Sequence, residues 1–201
     1  MTREEEATLI RRIRDGDSDA FEPLVLEYQT SIYHLAHRMV NDPQDATDLT
    51  QEIFLQAYRG LASFRGESKF SVWLYRLACN RCTDFLRKQH PTVSLTTEDE
   101  MEDSTEWEIP DLRFSPEHAL EQKELRVAIQ TGLQQLSSAE REILMLREFN
   151  GCSYEEIAEI LSLEPGTVRS RIHRARKKLC AFLVKDGNFS GNFPSQKQRG
   201  V

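Results

Sequence analysis

The sequence predicts an all-α protein of two small helical domains joined by a flexible acidic linker, with a helix-turn-helix in the C-terminal domain. Apolar residues recur at steps of three and four over most of the chain, which is the period of helices that bury one side. No stretch alternates apolar and polar residues between turn residues, as strands would. A length of 201 residues also fits two small domains better than one large one.

The expected organisation follows from where this helical pattern is interrupted. We expect a first domain over 1–89, a linker over 90–116, a second domain over 117–184 and a disordered tail over 185–201. In the first domain the pattern predicts a short helix before residues 15–17 and longer ones over 18–40, 43–61 and 70–88. In the second it predicts helices over 117–136 and 138–149, followed by the helix-turn-helix.

Residues 153–183 have the layout of a helix-turn-helix. Ser153 with Glu156 has the spacing of a capping box, and Pro165 suits the first turn of a second helix. Four apolar residues of that second helix share one face: Val168, Ile172, Ala175 and Leu179. Its other faces carry seven Lys or Arg over 165–185 and no acid. A basic outer face fits a DNA major groove, and a merely solvated cationic helix is the alternative.

Charge is distributed unevenly along the chain. The formal net charge of −7 is unfavourable for a DNA-binding protein, but residues 89–112 hold eight acids and no Lys or Arg. The rest of the chain therefore carries a net charge of +1, and the second helix of the helix-turn-helix is strongly positive. The acidic segment is poor in large apolar groups and contains prolines, which predicts a flexible linker.

Other features exclude several functional classes. No apolar run approaches the roughly 18 residues that span a membrane, and the N-terminus is no signal peptide, so we expect a cytoplasmic protein. The absence of a nucleotide loop, metal carboxylate cluster or nucleophile constellation predicts a protein that is not an enzyme and needs no cofactor or metal. Cys79 and Cys82 lack a second ligand pair, so we interpret them, like His34 and His37, as ordinary structural residues.

The helix expected over 70–88 carries a mixed stripe beside its apolar one. The residues of this stripe follow at steps of three and four: Trp73, Arg76, Asn80, Asp84 and Arg87. Just before it, Phe64, Arg65, Lys69 and Phe70 surround a glycine-containing loop. Aromatic rings beside cations can hold unstacked bases and phosphates, which favours single-stranded nucleic acid as a ligand. A helix-to-helix interface anchored by Trp73 is an alternative that composition leaves open.

The helix expected over 43–61 has an acidic face opposite its apolar one. Asp45, Asp48, Gln51 and Glu52 lie there, and this face would repel DNA. A basic protein partner is one explanation. The other is a plain solvated N-terminal turn, in which acids are favoured by the helix dipole.

Two separated sets of motifs resemble the extracytoplasmic-function sigma factors of bacterial RNA polymerase. DATDLTQEIF at 45–54, SFRGESKF at 63–70 and WLYRLACN at 73–80 are similar to their region 2. SYEEIA at 153–158 and GTVRSRIHRAR at 166–176 are similar to their region 4. The resemblance covers roughly 5–89 and 117–183, in the family's order, with region 3 replaced by the linker.

The resemblance implies three groups of site residues. Those matching the family's contact with the clamp helices of the polymerase largest subunit are Asp48, Gln51 and Glu52. Those matching the capture, recognition and melting of the −10 element are Phe64, Arg65, Lys69, Phe70, Trp73, Arg76 and Asn80. Those matching the helix that recognises the −35 element are Thr167, Arg169, Ser170, Arg171, His173 and Arg174. The family often has an aromatic residue at the position of His173, so the base contact there is an open point.

These matches imply a sigma factor that binds core polymerase, directs it to promoters and starts promoter melting, under the control of an anti-sigma factor that can hold it at the membrane. No stable homo-oligomer is expected. The alternative is a stand-alone helix-turn-helix regulator, which would need neither the acidic face nor the surface around Trp73. The sequence also shows no heptad seam through which such a regulator could dimerise.

Overall fold

A computed structural model describes residues 1–89 and 119–185. The predicted linker and the predicted tail beyond residue 185 lie outside the described residues, so their boundaries stay predictions. All regular structure within the two described ranges is helical, which confirms the predicted fold class.

The first domain contains four α-helices. They are α1 (Arg3–Arg14), α2 (Glu22–Val40), α3 (Pro43–Gly60) and α4 (Phe70–Gln89). The expected helix over 18–40 is divided, because a 3₁₀ turn at Ser18–Phe21 precedes α2. Pro23 lies in the first turn of α2, where its missing N–H leaves no hydrogen bond unmade.

Local signals fix the connection between α2 and α3. Asn41 ends α2 in the left-handed conformation, with φ of 61°. The Asp42 side chain accepts hydrogen bonds from the N–H groups of Gln44 and Asp45, which have no partner inside the helix. Helices α2, α3 and α4 then pack together around side chains that are fully buried, among them Leu24, Ile32, Ile53 and Leu74.

The second domain contains the remaining helices. They are α5 (Ala119–Gln134), α6 (Ser138–Leu144), which continues into a π-helical turn (Met145–Phe149), α7 (Tyr154–Leu161) and α8 (Pro165–Lys185). The predicted capping box at Ser153 is present and a second one lies at Ser137, since each of these serines exchanges hydrogen bonds with a glutamate three residues later. The expected helix to Phe149 is confirmed in extent, but its last turn widens to the π form.

Helix α8 buries the face that the sequence predicts. Val168, Ile172, Ala175 and Leu179 are all buried against the other helices of the domain, chiefly α5, α6 and α7. Gly132 of α5 allows the close approach of α8, because a Cβ atom there would lie 2.7 Å from Leu179 Cδ1. The basic residues of α8 other than the mostly buried Arg176 thereby lie on its outer side.

The two domains are in contact. Helix α4 packs against α7, and the C-terminal half of α2 contacts α5 and α6. The buried side chains of the two domains form one continuous apolar cluster.

Gly151 gives a direct test of the turn that starts the helix-turn-helix. Its φ is +66°, and no atom lies within 4 Å of the position that a Cβ atom would occupy, so Gly151→Ala adds backbone strain without a clash. We expect the substitution to lower the free energy of unfolding by about 1–2 kcal/mol, which would lower the melting temperature by several degrees.

Gly166→Ala is the matched control, since Gly166 has equal space, lies inside α8 and has no positive φ. We expect it to be neutral or to stabilise by up to about 1 kcal/mol. Thermal melts followed by circular dichroism measure both, and equal melting temperatures for the two variants would contradict the assigned turn.

Candidate nucleic-acid interface

The three residues of the acidic face that match the family's polymerase contact lie together on α3. Asp48, Gln51 and Glu52 are all exposed, while Leu49 and Ile53 on the other side of the helix are buried. Glu52 also accepts a hydrogen bond of 2.7 Å from Nε of Arg81 on α4. This pair is half-exposed, so it orients Glu52 without removing it from the surface.

The loop between α3 and α4 rests on a cluster of aromatic rings. Phe64 lies 5.1 Å from Trp73 and 6.1 Å from Phe70, centroid to centroid. Phe64 and Phe70 are only 7% and 2% exposed, so in this structure their rings belong to the core and support the loop from beneath. Arg65 and Lys69 of the same loop are exposed, and Trp73 is partly exposed.

Helix α1 supplies a wall of the site that the sequence did not point to. A cleft of about 240 Å³ lies between α1 and the loop, with the buried side chains of Ile10, Phe64 and Phe70 among its lining residues. Three arginines of α1 also line it: Arg3, Arg11 and Arg14. Arg14 donates from Nε to the carbonyl of Leu61 at 3.1 Å and so ties α1 to the start of the loop. The sequence signal that could have indicated this wall is the three-residue spacing of Arg11 and Arg14 beside apolar residues.

The mixed stripe of α4 faces both solvent and the second domain. Asn80 and Asp84 are exposed. Arg76 donates from Nη2 to the carbonyl oxygen of Glu159 on α7 at 3.1 Å and to its carboxylate at 3.3 Å. Lys69 Nζ lies 2.7 Å from Oε1 of Glu156, and this hydrogen bond holds the pKa of the Glu156 carboxyl below its usual value. The helix-to-helix alternative is therefore realised at Arg76.

The basic face of α8 is narrower than its composition indicates. Arg169 and Ser170 are exposed, and the other predicted residues are partly exposed: Thr167, Arg171, His173 and Arg174. Arg176 instead donates to Glu148 at 2.8 Å, with only 18% and 15% of the two side chains exposed. Lys178 pairs with Glu140. Arg176 thus belongs to the packing of the domain, Lys178 forms a surface pair, and the face centred on 167–174 is left for a ligand.

The cysteines of α4 lie in the core. Cys79 and Cys82 are buried, and burial raises the pKa of both thiols, that of Cys82 to about 12. A thiol with a raised pKa is a poor metal ligand, because metals bind the thiolate. Within the described residues no cluster of three or more His, Cys, Asp or Glu could hold a metal ion.

Two family matches coincide with the two domains. Sigma-70 region 2 matches residues 24–92, and Sigma-70 region 4 matches residues 126–179. The chain is 41% identical to the RNA polymerase sigma-H factor of Pseudomonas aeruginosa, over 89% of this chain and 94% of that protein. It is 39% identical to the ECF RNA polymerase sigma-E factor of Escherichia coli K12, over 85% and 90%.

The chain belongs to the extracytoplasmic-function sigma factors of the sigma-70 family. It is an alternative sigma factor, a transcription initiation factor that joins RNA polymerase and directs it to promoter DNA. Because regions 2 and 4 are both present in one chain, the alternative of a stand-alone helix-turn-helix regulator is set aside.

Solved structures of other proteins show the same arrangement of helices. CnrH, solved in complex with the cytosolic domain of CnrY, matches with a TM-score of 0.68 and 25% identity over 90% of this sigma factor and 99% of that chain. RpoE of Bartonella quintana matches at 0.60 and 24% identity, over 83% and 98%, which shows a shared fold. In the described part of this sigma factor, no helix is long and apolar enough to cross a membrane.

The partly buried Arg176–Glu148 pair predicts a structural role for one cation of α8. Arg176→Gln leaves the Glu148 carboxylate without its partner and should lower the free energy of unfolding by about 3 kcal/mol. Lys177→Gln, the neighbouring exposed cation, should change it by less than about 0.5 kcal/mol.

Urea denaturation of both variants, together with Arg176→Gln/Glu148→Gln, measures the coupling. The double variant should recover part of the loss, because it no longer buries an unpaired charge. Unchanged stability in Arg176→Gln would place this side chain on the DNA-facing surface instead.

Proposed function

We propose that this sigma factor holds a promoter at two points and the polymerase at a third. The face of α8 around residues 167–174 contacts the −35 duplex. The loop after α3, together with the stripe of α4, binds the −10 element, and the acidic face of α3 docks on the clamp helices of the largest polymerase subunit. The observation that carries this proposal is the division of charge between helices: cations lie on α4 and α8, and carboxylates lie on the outer face of α3.

The −35 contact requires a helix that fits a major groove. Helix α8 is 21 residues long and is buried along one side only, so its opposite side can enter the groove. Arginine can form two hydrogen bonds with guanine, worth about 1–3 kcal/mol of discrimination. Arg169, Arg171 and Arg174 are the groups placed for such contacts, and Ser170 and His173 lie between them on the same face.

The −10 contact requires surfaces that favour an unpaired strand. A captured base offsets the cost of unstacking by about 1–3 kcal/mol when it stacks on an aromatic ring. The cleft beside Phe64 and Phe70 has an apolar lining and a basic rim from Arg65, Lys69 and α1, which suits a flipped base and its phosphates. Trp73, Arg76 and Asn80 continue this surface along α4.

The polymerase contact requires a surface that does not compete with DNA. Asp48, Gln51 and Glu52 are exposed on α3, and Arg81 holds Glu52 in place. A basic or polar pair of helices on the polymerase fits this face, whereas DNA phosphates would be repelled. Exposed Leu55, one turn farther along α3, adds an apolar contact at its edge.

The proposal also covers catalysis, location and control by a protein partner. We expect the chain to have no catalytic residues of its own and to act in the cytoplasm, where the polymerase is. The solved relative CnrH binds the cytosolic domain of another protein, CnrY. RpoE of Bartonella quintana binds the anti-sigma factor NepR. We propose an anti-sigma factor for the present chain as well, one that covers the polymerase-binding faces and can hold the sigma factor at the membrane.

Reconstitution with sigma-free core polymerase tests the proposal. The purified chain and core are given a promoter library, and the transcripts and their upstream sequences are determined. Specific start sites that share one −35 and one −10 sequence are expected. Absence of specific transcripts, together with tight binding of the free chain to duplex DNA, would contradict it.

The polymerase contact makes a separate prediction. Asp48→Arg with Gln51→Arg should weaken core binding at least tenfold, because two cations then face the basic or polar partner surface. These two positions are preferred to Glu52, whose replacement would also break the pair with Arg81. Glu22→Arg with Gln29→Arg is the control, since it makes the same change in charge at exposed positions of α2. Binding is measured by fluorescence anisotropy, and equal affinities for variant and control would refute the docking face.

The −35 contact predicts a loss of specificity at one base. Arg174→Ala should reduce transcription from a −35-dependent promoter roughly 5- to 150-fold, which corresponds to about 1–3 kcal/mol for one bidentate contact. Lys185→Ala, at the far end of α8, should have little effect on base preference. A promoter library randomised at the −35 element measures both. An unchanged base preference in Arg174→Ala would remove this residue from the recognition face.

A further inference from the structure

A buried carboxylate lies at the cleft between α1 and the loop that follows α3. Glu6 of α1 is only 6% exposed, and it is one of the residues that line the cleft. Burial of a carboxylate costs free energy unless hydrogen bonds replace those that it made with water. The donors around Glu6 therefore have to be accounted for one by one.

Tyr28 of α2 supplies one donor. Its hydroxyl donates a hydrogen bond to Oε1 of Glu6. Burial raises the pKa of this hydroxyl, and the hydrogen bond to Glu6 raises it further, so the hydroxyl keeps its proton and remains a donor. The ring of Tyr28 packs against Phe70, with 5.7 Å between the ring centroids. Tyr28 thus fixes one oxygen of the carboxylate to the aromatic cluster beneath the loop.

The second oxygen of Glu6 is an acceptor without a donor in the described part of the chain. Neither a hydrogen bond to Oε2 nor an ion pair of Glu6 occurs there, although three arginines of the same helix line the cleft. One of them, Arg14, donates to the carbonyl of Leu61 instead. Oε2 is also not among the fully buried polar atoms that lack a partner, so solvent reaches it. A molecule that enters the cleft can therefore donate to this oxygen.

The rest of the cleft suits a base joined to phosphates. Ile10, Phe64 and Phe70 contribute an apolar lining, and the exposed Arg3 lies at the rim. Arg3, Glu6 and Ile10 follow at steps of three and four, so they share one side of α1. An apolar lining holds the face of any base, and an arginine holds any phosphate, so neither distinguishes one base from another. Glu6 is the group on this side of α1 that can do so.

We propose that Glu6 selects the base captured by this cleft, because it accepts a hydrogen bond from an exocyclic amino group. Cytosine and adenine carry an amino group at the edge where thymine and guanine carry a carbonyl oxygen. A carboxylate attracts the amino group and repels the carbonyl oxygen. This inference rests on the proposed role of the cleft in −10 binding and adds to it the chemistry of the captured base.

The selection follows from the water that a base displaces. A base in the cleft removes solvent from Oε2 of Glu6, and affinity is lost unless the base supplies a donor in its place. An amino group supplies that donor, whereas a carbonyl oxygen leaves the carboxylate unsatisfied beside a second acceptor. A site built to hydrogen-bond one group rejects analogues without it more strongly than an apolar pocket rejects a change in size.

Pairs of bases that differ only in the amino group test the selection on the holoenzyme. The DNA carries the −10 sequence found by reconstitution, with this region unpaired so that strand separation does not affect the result. Each cytosine of the non-template strand is replaced in turn by 2-pyrimidinone, and each adenine by purine. Binding is measured by fluorescence anisotropy. We expect a position at which loss of the amino group weakens binding roughly tenfold or more, as for one hydrogen bond to a charged group.

Glu6→Gln identifies the group responsible. The amide oxygen still accepts from Tyr28, so the amide nitrogen, which only donates, then faces the cleft. At the captured position the amino group should now change affinity by less than about twofold, and other positions should behave as before. Glu4→Gln is the matched control, since it removes equal charge from an exposed residue in the same turn of α1 and should retain the full effect.

A second variant removes the acceptor whichever way the side chain turns. Glu6→Met with Tyr28→Phe replaces both partners of the buried hydrogen bond by apolar groups, a change that stability tolerates better than the loss of one partner. This double variant should also lose the dependence on the amino group. Tyr28→Phe alone retains the carboxylate and should keep the dependence. Thermal melts of all variants show that each is folded.

The outcomes separate this inference from the proposed function. If every position depends on its amino group equally in the Glu6→Gln and Glu4→Gln holoenzymes, Glu6 does not select the base. The same conclusion follows if no position of the unmodified holoenzyme depends on an amino group. In both cases the proposed function stands, because the −10 strand is still bound. If the holoenzyme does not bind the unpaired −10 strand at all, the role of the cleft is wrong, and this inference fails with it.

Discussion

The arrangement of the helices in this sigma factor depends on the hydrogen bonds of one buried guanidinium. Arg141 is 7% exposed, and within the described ranges only one other charged residue, Glu6, is buried. The Arg141 guanidinium donates hydrogen bonds to the carbonyls of Leu133, Gln134 and Leu136 at the end of α5, and to that of Met39 near the end of α2. Two helix ends with partial negative charge thus converge on one cation. Burial lowers the pKa of the guanidinium, yet arginine remains charged.

This convergence sets where the functional surfaces lie. With the end of α2 joined to α5 and α6, α7 is placed against α4, and its two glutamates meet Lys69 and Arg76. The basic face of α8 lies away from its own buried side and keeps Arg169 and Ser170 exposed. The same packing therefore leaves the proposed −35 surface accessible and covers part of the proposed −10 surface. The two proposed promoter contacts differ in accessibility for a geometric reason.

Local features were predictable from the sequence, and contacts between distant segments were not. Capping boxes such as that of Ser153 and the buried face of α8 depend on residues within about one turn, so spacing reveals them. Met39, the partner of Arg141 in the first domain, lies 102 residues away in the sequence, and no periodic pattern of residues can indicate such a pair. The α1 wall of the cleft was not predictable for the same reason, because α1 and the loop are distant in the sequence. The burial of Phe64 was not predicted, because an aromatic residue beside cations has the same local sequence whether its ring stacks on a base or packs edge-on against Phe70.

The ion pairs of this sigma factor differ in how far they are exposed to solvent. A cation that must release DNA or a protein partner is best held by exposed carboxylates, since such pairs are weak and form again readily. Lys69 and Arg76 have partners of this kind. Arg176, which need not be released, pairs with Glu148 out of solvent. The exposure of each ion pair thus distinguishes cations proposed to exchange ligands from a cation that holds the fold, a distinction that residue type alone does not make. It follows that the cations proposed to bind the −10 strand are also those whose ion pairs with α7 can form and break with little change in the free energy of unfolding.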